Sequence, residues 1–496
     1  MIASSIHSVF SSLDDESIPW KTIVLYLVLG VHFFETYLSL RQYKCYSYPS
    51  PPLSLVKHVD HATFQKSQAY GRDKANFAFV TSAWGLLNSL VIIRYDVMAL
   101  VWTYSGTLLQ RANLPVTEIP QSIVFTLVFS FIRTILDLPF SFYSHFILEE
   151  KHGFNKMTLQ TFFLDFIKGL ALGAVFMSPL IAGLIWIIRW AGTDGFVTWV
   201  LGFLLVFQVL AQVLYPTVIQ PLFNKLEPLK DGILKSRVLS LASSLSFPLA
   251  KIYQIDGSKR SAHSNAYFFG VLPWANKHIV IFDTLINKST CSEIEAVLAH
   301  ELGHWKHSDP LKLLVLAQLQ IGLTFSVFAG FIGNVSLFRA FGFNVSATHG
   351  YLPIIIGLEL FQLVLSPTDA VLQFLMNSCV RRMEYAADEF AAGLTRPKFT
   401  SDQLASLETE KQAVESGSKN SASDAPPSSP DQLVLERDQL NEPYSSLLAK
   451  ALIKLHVQNL STMHHDKIYS AYHHSHPTLA ERLVALDGLD KSGKRE

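Results

Sequence analysis

Seven long apolar stretches constrain the fold of this chain more than any other feature of its 496 residues. Each stretch is long enough to cross the roughly 30 Å hydrocarbon layer of a bilayer as a helix. Only 16% of the residues are charged, whereas a soluble protein carries about 25%. The sequence therefore predicts an all-α polytopic membrane protein whose transmembrane helices lie at 22–40, 77–104, 121–145, 162–189, 196–215, 311–336 and 351–379.

The distribution of Lys and Arg predicts the orientation of these spans, because cytosolic loops are enriched in both residues. Loop 41–76 has six of them and segment 216–310 has ten. Loops 105–120 and 337–350 have one each, and loop 190–195 has none. We therefore expect a lumenal N-terminus and a cytosolic C-terminus. The first residues lack the basic region of a cleavable signal peptide.

Charge and cysteine content exclude some classes of protein. The formal net charge is zero, so binding to nucleic acid has no electrostatic support. The three cysteines, Cys45, Cys291 and Cys379, form no CxxC pair and are too few for a disulfide framework. A reducing environment suits the soluble parts of the chain best.

The polar segments between and after the spans complete the predicted organisation. The run ESGSKNSASDAPPSSPD is rich in Ser, Pro and Asp without apolar periodicity, which is typical of a disordered linker. We therefore divide the chain into five N-terminal spans, a cytosolic catalytic segment, spans six and seven, a third-ligand helix, the linker and a C-terminal helical segment. Their predicted bounds are 1–215, 216–310, 311–379, 380–398, 399–445 and 446–496.

Ionisable residues interrupt some of the predicted spans. Glu35, Arg94, Asp96, Asp165 and Lys168 all fall at membrane depth. Such groups usually face the interior of a helix bundle or a water-filled cavity, and we expect this of Glu35 and Asp96. Asp165 and Lys168 are equally well explained as interfacial groups at the end of a span.

The pentapeptide HELGH at residues 300–304 is the strongest chemical motif. His300 and His304 are four residues apart, so a helix presents both imidazoles on one face, as two metal ligands require. Glu301 can then act as general base on a water at the metal. Ser292 followed by Glu295 suggests a capping box at the start of this helix, and Pro310 ends it. The alternative is a pair of surface histidines flanking a glutamate.

A catalytic zinc takes three protein ligands and keeps one open position. Glu384, in RRMEYAADEFA, is the candidate third ligand, and Asp388 lies on the same helix face, where it can orient a histidine ligand. Spans six and seven run antiparallel, which returns Glu384 to the bilayer side of HELGH. Asn265 and Ala266 precede a strand-like run at 278–282, and an edge strand here could hold an extended peptide.

A cluster of C-terminal histidines follows the linker: His464, His465, His473, His474 and His476. Histidine-rich tracts can bind metal, but a solvated, partly buried helix end explains His464 and His465 better. Peptide hydrolysis also requires a donor to the developing oxyanion. His476 and Tyr472 are both candidates on chemical grounds.

Several motifs outside HELGH resemble one family nearly end to end, the type I CAAX prenyl proteases. The resemblance rests on FETYLSLRQY, LPFSFYSHFILEEKHGFNK, PLFNKLEPL, SKRSAHSNAYFFG, HELGHW, RRMEYAADEFA and SHPTLAERL. It implies seven transmembrane helices around a chamber, with a zincin-like metalloprotease domain on its cytosolic side. It also implies localisation to the endoplasmic reticulum membrane and the contiguous nuclear envelope.

The resemblance assigns roles to individual residues. It implies one Zn²⁺ per chain bound by His300, His304 and Glu384, with Glu301 as base and Asp388 behind the ligands. Asn265, His476 and Arg482 match positions that contact the substrate backbone or stabilise the transition state, and Ala266 follows Asn265. Family members remove the C-terminal tripeptide of prenylated CAAX proteins, and some make a second, more N-terminal cut. The partners implied are such proteins and the lipid bilayer. Ala386 and a long linker depart from the usual pattern without removing a catalytic group.

Three alternatives remain open from the sequence. A quality-control metalloprotease acting on misfolded or translocon-stalled membrane proteins would use the same chemistry. Intramembrane proteolysis of the site-two type fits less well, because HELGH lies before span six and the LDG of residues 486–488 lies in the soluble tail. A transporter or receptor scaffold with a vestigial motif would purify without stoichiometric zinc.

Overall fold

The structure, a computed structural model, describes residues 12–270, 276–344, 351–396, 439 and 442–493. Within these residues, seven helices are long and apolar enough to cross a membrane, which agrees with the prediction. They are α1 (Trp20–Cys45), α2 (His61–Arg94), α4 (Glu118–Glu149), α5 (Leu159–Thr193), α6 (Gly195–Phe223), α10 (Asp309–Phe331) and α12 (Ile354–Gly393).

Shorter helices connect the spans and build the polar end of the molecule. They are α3 (Val97–Arg111), α7 (Ile233–Ser244), α8 (Asp283–Lys288), α9 (Cys291–Lys306), α11 (Val335–Ala340), α13 (Tyr444–Gln458), α14 (Lys467–His473) and α15 (Leu479–Gly493). The linker predicted at 399–445 lies outside the described residues except for positions 439 and 442–445.

The second span ends earlier than its predicted bounds of 77–104. Helix α2 ends at Arg94, and Asp96 adopts a left-handed conformation with φ of 52°. The apolar run then continues as a separate helix, α3. The carboxylate of Asp96 lies 2.7 Å from Nζ of Lys21, so this residue forms an ion pair at a helix junction. The predicted end was wrong because apolar composition does not reveal a single residue that breaks the helical geometry.

Buried apolar side chains form two main clusters at opposite ends of the spans. The first joins the start of α1, α4, α6 and α12 to the end of α2, α5 and α10, and includes Val24, Phe125 and Phe361. The second lies in the polar end, around the sheet, α9 and α13. Between them, the most apolar windows of the spans are only 6–33% buried. The middle parts of the spanning helices therefore contribute little to either buried core.

A four-stranded sheet follows α6 and supports the polar end. Its strands are β1 (Leu226–Pro228), β2 (Leu249–Ile255), β3 (Ala266–Phe269) and β4 (Lys277–Phe282), in the order β1-β2-β4-β3. Strands β2 and β4 are parallel, whereas β3 pairs antiparallel with β4, with Ala266 opposite Ile281. The strand predicted at 278–282 is therefore β4. Strand β3 lies at an edge of the sheet, directly after Asn265.

Helix α9, which carries HELGH, begins with a capping box that differs from the predicted one. The hydroxyl of Thr290 accepts a hydrogen bond from the backbone N–H of Glu293, and the Glu293 carboxylate accepts one from the N–H of Thr290. The prediction of Ser292 and Glu295 was wrong, because the helix starts two residues earlier. The Glu295 carboxylate is buried and accepts hydrogen bonds from Arg237 and Tyr444.

Candidate metal centre

The packing of α9 determines which of its faces meets the rest of the site. Ala296, Leu298, Ala299 and Leu302 are almost completely buried in the second apolar cluster. Burying these apolar side chains stabilises the helix position by removing apolar surface from water. An adjoining edge of the helix then presents His300, which is 6% exposed, and His304, which is half-buried, to α12.

Gly303 allows α9 and α12 to approach each other closely. A Cβ at Gly303 would lie 3.0 Å from the Cα atom of Ala387 and 3.1 Å from its carbonyl oxygen. Ala387 is itself completely buried. The two small residues at this crossing therefore bring the backbones together, and Glu384, one helical turn before Ala387, lies beside the two histidines.

Three potential ligand atoms converge at this crossing. A Glu384 carboxylate oxygen, Oε2, lies 3.5 Å from Nε2 of His300, and the other, Oε1, lies 3.4 Å from Nε2 of His304. Three ligand atoms, one from each residue, lie within 4.8 Å of one another. Donor atoms around a tetrahedral zinc are about 3.3 Å apart when its bonds are about 2 Å long. The two histidine–glutamate distances are therefore close to those around zinc, whereas the bound of 4.8 Å for one atom from each residue is wider.

The buried carboxylate of Glu384 provides a second test of this fit. Its Oε2 atom is inaccessible to solvent and accepts no hydrogen bond from the residues that the structure describes. A buried carboxylate oxygen without a donor is costly, and coordination to a cation would satisfy it. The residues present therefore fit a divalent metal ion such as Zn²⁺.

Two aspartates orient the histidine rings. Asp388 Oδ1 lies 2.9 Å from Nδ1 of His300, and Asp309 Oδ2 lies 3.0 Å from Nδ1 of His304. Because a carboxylate accepts hydrogen bonds, each histidine donates from Nδ1 and keeps the lone pair of Nε2 for a metal. Asp388 was predicted for this position. Asp309 was missed, although its place in the turn directly after α9 is a signal that could have indicated it.

The C-terminal helices complete one side of the centre. Arg482, on α15, donates from Nε and Nη2 to the carboxylate of Asp388, at 2.8 and 2.5 Å. His476 Nδ1 lies 2.9 Å from Oε1 of Glu384, and its side chain is 64% exposed. Both residues therefore lie beside the candidate metal centre, and the roles that the family resemblance implied for them stay predictions.

The electrostatic environment of the centre favours positive charge. Burial would lower the pKa of His304, but the carboxylates of Glu384 and Asp309 outweigh it and raise that pKa to about 9. Burial likewise opposes protonation of His300, whose pKa is nevertheless raised by Asp388 and Glu384. The same carboxylates that favour protonation of the two imidazoles also attract a metal cation.

Glu301 follows the first histidine and is the predicted base. Burial raises the pKa of its carboxyl group, although the two histidines of the motif act in the opposite direction. A carboxylate whose pKa moves toward neutrality is a better general base than one at its ordinary value. That Glu301 acts as the base stays a prediction.

The remaining predicted residues lie at the sheet edge or away from the centre. The side chain of Asn265 accepts a hydrogen bond from the N–H of Ala266, which opens the edge strand β3. Tyr472, the second candidate for the oxyanion donor, places its hydroxyl 3.4 Å from the Glu35 carboxylate. Tyr472 therefore contacts Glu35. Among the described residues, it makes no contact with His300, His304 or Glu384.

The structural role favoured for His464 and His465 agrees with their contacts. Nε2 of His464 lies 2.7 Å from the carbonyl oxygen of Ser50. Nε2 of His465 lies 3.0 Å from the carbonyl oxygen of Thr462. Neither histidine contacts Glu384, His300 or His304 within the described part of the chain.

The fold and the site together define a membrane-embedded metallopeptidase. The described part of the chain has seven spanning helices, a helix that carries HExxH, a carboxylate as the third potential ligand, and an edge strand nearby. Residues 42–225 match the profile described as "CAAX prenyl protease N-terminal, five membrane helices", and residues 228–490 match that of peptidase family M48. The chain belongs to peptidase family M48 and is a multi-pass membrane metalloprotease.

Similar proteins extend over almost the whole chain. CAAX prenyl protease 1 of Saccharomyces cerevisiae is 39% identical, over 97% of this chain and 98% of its own. The human CAAX prenyl protease 1 homolog is 34% identical, over 93% and 94% of the two chains. The crystal structure of S. mikatae Ste24p matches with a TM-score of 0.80 at 38% identity, over 95% and 99% of the chains. The similarity therefore includes both the spans and the metal centre.

Proposed function

We propose that this protein is a zinc-dependent endoprotease that removes the C-terminal tripeptide from prenylated CAAX proteins. The observation that carries the proposal is the convergence of His300, His304 and Glu384 beside Glu301, at one end of the spanning helices. The names of the similar proteins, CAAX prenyl protease 1, supply the substrate class.

The two histidines and Glu384 would hold one Zn²⁺ at the proposed site. When bound there, Zn²⁺ supplies Lewis acidity, which polarises the scissile carbonyl and makes an attacking water more acidic. Asp388 and Asp309 keep both imidazoles in the tautomer with a free Nε2. Arg482 holds Asp388 in turn, so the ligand geometry is fixed before substrate arrives.

Glu301 takes the proton of the attacking water and later delivers it to the leaving amine. The edge strand β3 and Asn265 align the substrate backbone, since an edge strand offers unpaired N–H and C=O groups to an extended peptide. His476 donates from Nδ1 to the carboxylate of Glu384, and in its doubly protonated imidazolium form it also donates from Nε2 to the oxyanion. Arg482 adds positive charge near the same place.

We further propose that the protein resides in the endoplasmic reticulum membrane and the contiguous nuclear envelope, with its catalytic face in the cytosol. The excess of Lys and Arg in 41–76 and 216–310 supports this orientation. The prenyl group then lies against the apolar surface of the spans, while the polar tail reaches the metal. A second, more N-terminal cut is part of the same proposal for some substrates.

An assay on detergent-purified protein tests this function. Farnesylated CAAX peptides should be cleaved, unprenylated peptides should be cleaved much more slowly, and phenanthroline should abolish both activities. Glu301→Gln should retain stoichiometric zinc and lose turnover. Equal cleavage of unprenylated and farnesylated peptides would favour the quality-control alternative, and cleavage by zinc-loaded Glu301→Gln would contradict the mechanism.

A further inference from the structure

An apolar groove of about 570 Å³ lies between α10 and α12, close to the metal centre but outside it. The residues that line it include Ser308, Leu311, Lys312, Val315, Arg382 and Met383. Met383 directly precedes the ligand Glu384, and Ser308 directly precedes Asp309, which orients His304. The groove therefore lies where two spanning helices leave the membrane and join the catalytic residues.

A stripe of exposed apolar side chains extends from the groove along both helices. On α10 it consists of Leu311, Val315, Leu319 and Leu323, which recur every four residues and are all exposed. On α12, Val371, Phe374 and Leu375 are exposed in the same way. An apolar stripe along a spanning helix is the surface that contacts acyl chains. The groove thus opens onto a path that a lipid tail can follow.

Two cations stand at the polar rim of this groove. Lys312 lies in the first turn of α10, has a 53% exposed side chain and pairs with Asp309 at 2.9 Å. Arg382 is exposed and makes no ion pair or hydrogen bond to any described residue. Its neighbour Arg381, by contrast, is held by Glu481 and Ser470. Arg382 is therefore available to an anionic group from outside the chain.

We propose that this groove is a binding site for an anionic phospholipid, whose phosphate is held by Arg382 and Lys312 and whose acyl chain lies along Leu311 and Val315. Cations at the end of a spanning helix attract anionic head groups, and each contributes about fivefold in affinity. A neutral isoprenoid would make no use of the two charges. Through Lys312 and Asp309, the bound head group also adjoins the side chain that orients His304.

Lipid retention in nanodiscs tests the proposal without any proteolysis, so its outcome is independent of the proposed function. Protein is reconstituted in equal parts phosphatidylcholine and phosphatidylserine, and bound phospholipid is measured by native mass spectrometry after release into detergent. We expect Arg382→Gln to lower retained phosphatidylserine about fivefold relative to wild type. Val315→Trp, which fills the groove, should lower it as well.

Two control variants match these changes elsewhere on the membrane surface. Arg94→Gln removes an exposed arginine at the other end of the spans, and Val206→Trp enlarges an exposed valine on α6. Both should retain phosphatidylserine at the wild-type level. Equal retention by wild type, Arg382→Gln and Val315→Trp would overturn the proposal.

Alkylation of Cys379 in the wild-type protein gives a second measurement that needs no variant. This cysteine lines the groove and is half-buried, and mass spectrometry distinguishes it from Cys45 and Cys291. Phosphatidylserine should slow its reaction with a maleimide several-fold relative to phosphatidylcholine alone. Protection by farnesylcysteine methyl ester but not by phosphatidylserine would overturn the proposal and assign the groove to the isoprenoid.

Discussion

The carboxylate of Asp309 lies 3.0 Å from Nδ1 of His304, in the turn that joins the HELGH helix to the sixth span. The same carboxylate pairs with Lys312 on its other oxygen. Each histidine ligand thus has its own aspartate, Asp388 for His300 and Asp309 for His304. His304 is therefore oriented by a residue of its own chain segment, whereas His300 is oriented by a residue of a distant helix.

Asp309→Asn should weaken zinc binding by about 10- to 100-fold, because an amide orients the imidazole less strongly than a carboxylate. Zinc occupancy measured against a competing chelator checks this. Asp231→Asn removes an exposed aspartate from a surface pair with Lys235 and should leave zinc affinity unchanged. An Asp309→Asn protein with wild-type zinc affinity would show that Asp309 has no part in the centre.

Gly303→Val should destabilise the protein by about 1–3 kcal/mol, because the added side chain meets the backbone of Ala387 and separates α9 from α12. Zinc content should fall together with the melting temperature. A methyl group added at Gly30, on α1, would meet no atom within 4 Å, so Gly30→Ala should be neutral or slightly stabilising. Retention of both stability and zinc by Gly303→Val would contradict the close-approach argument.

Glu295→Ala should cost about 3–5 kcal/mol of folding free energy, since it removes a buried carboxylate from its guanidinium partners. Glu295 is completely buried, as is Arg237, and Arg396 is 8% exposed in its side chain. The hydroxyl of Tyr444 also donates to Glu295. Thermal unfolding in detergent measures the effect, with Asp231→Ala on the surface as control. A loss no larger than that of the control would mean that this ion cluster does not hold α9 in place.

Stability should fall as the pH drops from about 6.5 toward 4 because of His465. Burial, aided by the neighbouring His474, lowers the pKa of His465 to about 4, whereas an unfolded histidine has a pKa of about 6.5. In this window the unfolded chain binds a proton that the folded protein does not, so stability rises with pH. The contribution is fully present above pH 6.5 and amounts to at most about 3 kcal/mol.

Melting temperatures of wild type and His465→Gln between pH 4.5 and 7.5 measure this contribution. The variant should depend less on pH than wild type does. His58→Gln, at an exposed position, should keep the wild-type dependence. Identical slopes for wild type and His465→Gln would show that another group causes any acid sensitivity.

The sequence by itself determined the features that depend on local pattern. Long apolar runs can be satisfied in a bilayer only as helices, so seven spans follow from composition and length. The four-residue spacing of His300 and His304 places both imidazoles on one helix face whatever surrounds the helix. The identity of Glu384 as third ligand, by contrast, came from its motif and from the family resemblance, because local periodicity does not specify which distant segment meets a given face.

Only the tertiary structure decided how these segments meet. The contact of Gly303 with Ala387 brings α9 against α12, and the turn at Ser308 returns Asp309 to His304. Asp96 ends a helix inside an apolar run that was predicted as one span despite its ionisable residues, and Thr290 rather than Ser292 caps the metal-binding helix. The approach of Gly303 to Ala387 and the ion pair of Asp96 with Lys21 join residues far apart in the chain, where shape and burial outweigh local preference.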